Sequence, residues 1–313
     1  MLHLRVICPA GRTETVLAAL RAQPGATHLT IARGGALDPP GDLIEADVAR
    51  EAADDVLDAI GAAELGEDGA VVLTDAGTTI SERAERAEES APGEGSDAVV
   101  WDQLIANTGE ECRLNGTFLA FLSIACLLGA VGVVTDSPVT IVGAMVVGPE
   151  FGPLAALAVG LVCRRWLLVR RAAVALAVGF PVAMGVTALA TLAGKWTGLI
   201  DASSLPTGGQ VSFVYTVGWS SLIVALLAGA AGMLSLTSAK SAALVGVFIS
   251  VTTVPAAGYS VVALLLRDWG QAVGSATQLV VNLVGIVLAG VLVLLVRGAP
   301  ERAEDRVRTR ELS

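Results

Sequence analysis

The sequence predicts an α-helical membrane protein of about six transmembrane helices, in a 3+3 inverted repeat with two broken helices. A small α+β ferredoxin-like cytoplasmic domain precedes them. Three observations predict this. Mean hydropathy is +0.69, and only 16% of the 313 residues are charged, well under the roughly 25% of soluble domains. Charge is also segregated: residues 1–113 hold 22 of the 30 acidic and 8 of the 20 basic residues, whereas residues 114–313 are net basic. Finally, residues 114–297 contain six apolar segments. Two regions in different solvents explain this division better than one large soluble core.

Within residues 1–80, Leu2–Pro9 alternates as a strand, and Arg12–Arg21 carries Val16, Leu17 and Leu20 at helical spacing. His28–Arg33 and Asp42–Ala49 read as strands separated by the turn-rich GGALDPPG. Ala52–Leu65 is an amphipathic helix and Ala70–Thr74 a last strand. The order βαββαβ is the ferredoxin-like one. Other domains of this shape bind regulatory ligands or dimerise, an analogy of fold alone. Residues 81–97, charged and rich in small side chains, read as a linker. Residues 98–113, with Trp101, Leu104 and Ile105, read as a juxtamembrane interfacial helix.

A bilayer core of about 30 Å is crossed by roughly 20 apolar residues. The six segments that reach this length are residues 114–134, 138–162, 172–194, 211–234, 241–266 and 275–296, and residues 298–313 form a tail. Arg113, Arg164, Arg165, Arg170, Arg171, Lys240 and Arg297 fall on one side, Lys195 and Arg267 on the other. The positive-inside rule then predicts a cytoplasmic-membrane protein with both termini in the cytoplasm. Trp101 and Trp166 at the inner boundary and Trp196 and Trp269 at the outer one agree, as an aromatic belt. Met1–Arg12 lacks the apolar stretch of a signal peptide.

LLGAVG (Leu127–Gly132) and IVGAM (Ile141–Met145) recur in order as LLAGAAG (Leu226–Gly232) and LVGVF (Leu244–Phe248). With three helices in each half, the second copy enters the membrane from the opposite side, the inverted repeat of many secondary transporters. The second and fifth spans both carry helix breakers: Gly148, Pro149, Gly152 and Pro153 in one, Pro255 and Gly258 in the other. Proline lacks an N–H and clashes with the preceding turn. In lipid, such a break survives where it faces protein or a water-filled cavity. Paired breaks in two halves point to a solute site near the midplane.

Between the breakers lies Glu150, the one acidic residue deep in a span. A charge there costs about 2.5–3.5 kcal/mol on insertion scales. Taking a proton, binding a cation, or capping the second half-helix would each lower that cost. Ser250, Thr252 and Thr253 offer hydroxyls beside the fifth-span break, or simply bond their own backbone. Gln278 and Asn282 in the last span are weaker candidates, suited also to interhelical hydrogen bonds. Asp136 reads as a turn residue.

DSPVTIVGAMVVGPEFGP (Asp136–Pro153) and GVFISVTTVPAAG (Gly246–Gly258) resemble the bacterial and archaeal membrane family called domain of unknown function 389. Its members show a GAM-x-x-x-P-x-x-GP segment and a later segment with a proline pair. Here Val254-Pro255 stands for that pair, and Glu150 replaces the apolar or small residue that follows the first proline. The resemblance implies the same broad fold and no particular activity.

The leading functional expectation is a transporter or channel for a small solute or ion, its path between the second and fifth spans. The rival is a membrane-anchored sensor or scaffold. No enzyme is expected: the spans hold no serine–histidine pair, no aspartate pair of the GxGD kind and no HExxH. Cys8, Cys112, Cys126 and Cys163 are scattered, and His3 and His28 show no partner pattern, so neither disulfide, metal nor cofactor is expected. The expected partners are the lipid bilayer, a small solute or ion, and further copies of the chain, since small residues favour close helix packing. A pI of 4.7 argues against nucleic acid.

Overall fold

The computed structural model describes residues 1–66, 68–91, 99–200, 205, 208–238 and 252–298. The chain divides into two compact units, one built on Met1–Leu104 and the other on Ile105–Leu236 with the described residues from 252 on.

In the first unit, β1 (Leu2–Cys8), α1 (Thr13–Arg21), β2 (Ala26–Leu37), β3 (Pro40–Val48), α2 (Ala53–Gly61) and β4 (Ala70–Asp75) follow the expected βαββαβ order. The sheet is antiparallel, in the order β2-β3-β1-β4. Alternation along β1 sends Leu2, Leu4, Val6 and Cys8 inward. There Leu4, Val6 and Cys8 meet Val16, Leu17 and Leu20 of α1, Ile44 of β3, and Val56 and Ile60 of α2, while Leu2 packs with Ala53 and Val100. Most of GGALDPPG lies in the arms of the β2–β3 hairpin rather than in a loop. Register shifts in β2 accompany positive φ at His28 and Gly34, the geometry of bulges.

Two expectations need correction here. Residues 81–97 are not all linker: α3 (Glu82–Ser90) is a helix capped by Ser81, whose Oγ accepts the Arg83 N–H at 3.2 Å. Ala84 and Ala87 form its buried stripe. Alternating Glu, Arg and Ala are good helix formers, so a composition that reads as solvated chain also suits a helix. Residues 92–98 lie outside the described residues. The histidines are partnered as well. His3 Nδ1 lies 3.0 Å and His28 Nδ1 2.7 Å from the two oxygens of Asp47, and His28 Nε2 is 2.9 Å from Ser81 Oγ. Register places His3 opposite Asp47, a pairing that no linear spacing displays.

Within residues 98–113, expected to form a juxtamembrane helix, the structure places α4 (Trp101–Glu111). The second unit then holds α5 (Gly116–Val134), α6 (Pro138–Val147), α7 (Phe151–Val162), α8 (Trp166–Trp196), α9 (Trp219–Thr237), α10 (Thr253–Leu265) and α11 (Trp269–Val296). Among the described residues, α5, α8, α9 and α11 are long and apolar enough to cross a membrane, and α6 with α7 forms a fifth candidate bent by 51°. The third predicted span lies inside the longer α8, and the sixth begins earlier, at Trp269. The fourth begins later: residues 212–214 form a short 3-10 turn, and helix starts only at Trp219. Residues 241–251 of the fifth, and the tail from 299, lie outside the described residues.

Helix ends have local causes. Asp136, Arg164 and Arg267 adopt positive φ just beyond α5, α7 and α10. In each case the next residue's N–H reaches back to a carbonyl of the last turn: Ser137 to Gly132 at 2.8 Å, Arg165 to Gly160 at 2.8 Å and Asp268 to Ala263 at 2.9 Å. These bonds satisfy carbonyls that the helix leaves open. Asp136 is more than a turn residue: its carboxylate accepts the N–H groups of Val211 at 3.2 Å and Gln210 at 3.4 Å, joining two loops.

The most enclosed helix is α10, buried from Thr253 to Ala263. Glycine makes this possible at two points. A Cβ at Gly129 of α5 would lie 2.6 Å from the Pro255 Cα, and one at Gly258 would collide with the Cys126 carbonyl.

Candidate functional site

The break between α6 and α7 follows from GPEFGP. Gly148 precedes a proline and is extended (φ −66°, ψ 127°), as steric clash with the proline ring demands. Its N–H still closes the last turn of α6 on Ala144 at 3.1 Å. The chain re-enters helix at Phe151, so that Pro153 is third in α7, where a missing N–H costs no helical bond. Gly152 packs on Glu111: a Cβ there would lie 2.8 Å from the Glu111 Cβ and 3.0 Å from its Oε2.

Glu150 occupies the N-cap position of α7, yet its side chain makes no capping hydrogen bond. The capping expectation therefore fails for the carboxylate. The residue is 6% exposed, and its Oε2 has no hydrogen-bond partner among the described residues. It points to the start of α10: a Cβ placed on Gly148 would run into Glu150 Oε2 and lie 2.9 Å from Val254 Cγ2. The α6–α7 break thus meets the start of α10, and Gly148 has no side chain because that space is taken.

At the start of α10 Thr252 is the N-cap residue and Thr253 the first residue of the helix, with Pro255 third, as Pro153 is in α7. Thr252 Oγ1 accepts Asn282 Nδ2 at 3.0 Å and Gln278 Nε2 at 3.3 Å, and Gln278 Nε2 also lies 3.4 Å from Asn282 Oδ1. The two weaker candidates are thus tied to a stronger one by interhelical bonds. Thr253 Oγ1 and Gln278 Oε1 are buried without partners among the described residues. Ser250 lies outside the described residues.

Sequence reasoning missed Ser275 and Glu111. Ser275 is fully buried, its hydroxyl also without a partner among the described residues. The signal was there: Ser275, Gln278 and Asn282 recur at spacings of three and four on one helix face. Glu111 gave no such sign, because only folding carries it to Gly152. Among the described residues no group of three or more His, Cys, Asp and Glu side chains could hold a metal.

Residues 145–288 match the model of the family described as Domain of unknown function (DUF389), the one that the two proline motifs resemble. The matched stretch begins in α6, contains the α6–α7 break and the start of α10, and ends in α11. No curated protein and no solved structure matches the chain.

Proposed function

We propose, with the DUF389 domain of residues 145–288 as the premise, that this chain is a membrane transporter or channel for a small solute or ion. The pathway runs between the broken second span and the fifth, and Glu150 carries a proton or a cation along it. One observation carries the reading: a carboxylate 6% exposed, with an unpartnered oxygen, sits in a helix break against the start of a second helix. A membrane anchor gains nothing from such a costly arrangement.

The inverted repeat is part of the proposal, and helix bounds support it. Adding 103 to the residue number carries Gly116–Val134 to Trp219–Thr237, both of 19 residues, and carries Trp166 to Trp269, where α8 and α11 begin. The same shift pairs Gly129, rather than Gly132, with Gly232. The spacing to Gly143 and to Gly246 then becomes equal in the two halves. Six spans follow if residues 241–265 cross once. Basic residues favour cytoplasmic termini. An exposed apolar row on α11, with Val280, Val284 and Leu288, suits lipid or a second copy of the chain.

The test is flux through purified protein in liposomes, screening protons, alkali cations and small anions for the wild type and Glu150→Gln. The wild type should conduct at least one of these, and the variant should lose about tenfold or more. No flux in the wild type, or equal flux in the variant, rejects the reading.

A further inference from the structure

Four side-chain oxygens, at the α6–α7 break, the start of α10 and the facing stretch of α11, are buried and unpartnered among the described residues: Glu150 Oε2, Thr253 Oγ1, Gln278 Oε1 and Ser275 Oγ. They come from three helices. At about 100° per residue, Val254 faces the α6–α7 break while Thr252 faces α11. Thr253 projects between these two directions, away from Pro255, which packs on Gly129 of α5. Helices α7 and α11, which carry Glu150 at the N-cap and Gln278, pack against each other. Ser275 lies one turn from Gln278 on the face of α11 that bonds Thr252.

The donor inventory decides what such a place accepts. A glutamate oxygen and an amide carbonyl are acceptors only, and a hydroxyl accepts as readily as it donates. The Gln278 amide is oriented by its N–H bonds to Thr252 and Asn282, which leaves the carbonyl as the free end. An anion cannot serve two acceptor-only oxygens, and a single proton on Glu150 serves one of them. A cation serves all four. Its charge follows from the helix ends: the starts of α7 and α10 each contribute about half a positive charge, and the end of α6 about half a negative one. Against the full charge of Glu150 the break stays negative by less than one unit. A monovalent ion matches that, and a divalent ion, which usually draws several carboxylates, overshoots it.

We propose that the α6–α7 break and the start of α10 together bind a desolvated monovalent alkali cation, held by Glu150 together with the neutral oxygens of Thr253, Gln278 and Ser275. This rests on the reading of that place as the solute site and names the ion. Oxygen dipoles replace the hydration shell there, and the shortage of full charges keeps affinity low enough for release.

The test needs no flux. Full-length protein in lipid nanodiscs is unfolded by heat in about 0.1 M sodium, potassium or lithium chloride and in choline chloride at equal ionic strength. The wild type should melt at a higher temperature in at least one alkali salt, in a saturable way. Glu150→Gln should lose the shift. Ser275→Ala gives up no hydrogen bond, so it should fold like the wild type while binding the ion about tenfold more weakly, a loss of one ligand. No alkali-specific shift in the wild type, or a shift retained in Glu150→Gln, overturns the site. A proton flux that needs Glu150 without any alkali shift rejects the cation and keeps the transporter. An alkali shift without flux does the reverse.

Discussion

Asp42 in the N-terminal unit and Glu150 in the apolar one are both buried carboxylates, 4% and 6% exposed, and they are treated oppositely. Asp42 accepts Thr13 Oγ1 at 2.7 Å and the Gly34 N–H at 2.8 Å, with Arg33 at 3.7 Å. Those bonds, foremost the Thr13 hydroxyl, hold its carboxyl below the usual carboxylate range. Glu150 has neither a cap bond nor a partner for Oε2 among the described residues. Burial of a charge is costly unless it is paired and hydrogen-bonded. A satisfied buried carboxylate is explained by the fold it ties together, whereas an unsatisfied one calls for something that binds it.

The largest test of this contrast replaces each acid by its amide. Glu150→Gln should raise the thermal stability of the protein in salt-free choline buffer, by about 2 kcal/mol if most of the cost of a buried charge is removed. Asp42→Asn should lower the protection of β1–β3 amides against hydrogen exchange. A Glu150→Gln variant that melts lower would make Glu150 structural and end the contrast.

Next in size is the pH response of the N-terminal unit. The folded pKa of Asp42 is depressed, so its contribution to stability is present above the unfolded carboxylate range and lost as pH falls through the folded value. Exchange protection of β1–β3 in the wild type should fall on acidification, and Asp42→Asn should flatten that fall. Equal slopes in the two proteins would deny Asp42 its role.

Asn282→Leu removes one of the two N–H bonds into Thr252 and should cost about 1 kcal/mol, as interhelical bonds do in membranes. Melting of the variant in detergent measures it, and an unchanged midpoint would reduce the Thr252 cluster to incidental contact. Smallest is Ser81→Ala, which removes the cap of α3 and should cost about 1 kcal/mol or less. Exchange confined to residues 82–90 reports it, and spread to β3 would mean that the Ser81–His28–Asp47 chain supports the sheet as well.

The legible parts of the fold are those with a period or a long apolar run. Alternation in β1, helical spacing in α1 and α2, and apolar length in α5, α8 and α11 were all readable along the chain. So was the break at Gly148–Pro153, because proline acts on its own turn. The helix of residues 82–90 was not, since its apolar stripe is only two alanines deep. The state of Glu150 was legible by half: the sequence shows a carboxylate in a broken span but not whether a partner arrives from elsewhere.

By itself, then, the sequence determined most of the helices, strands and apolar spans, though not the helix of residues 82–90, and where one span is interrupted. These depend on neighbours a few residues away. Only the tertiary structure decided that Val254 reaches Gly148 and Glu150, that Thr252 is held by Gln278 and Asn282, and that Asp42 is satisfied while Glu150 is not. Those outcomes depend on packing between residues far apart in the chain, and packing distances leave no periodic trace in a sequence.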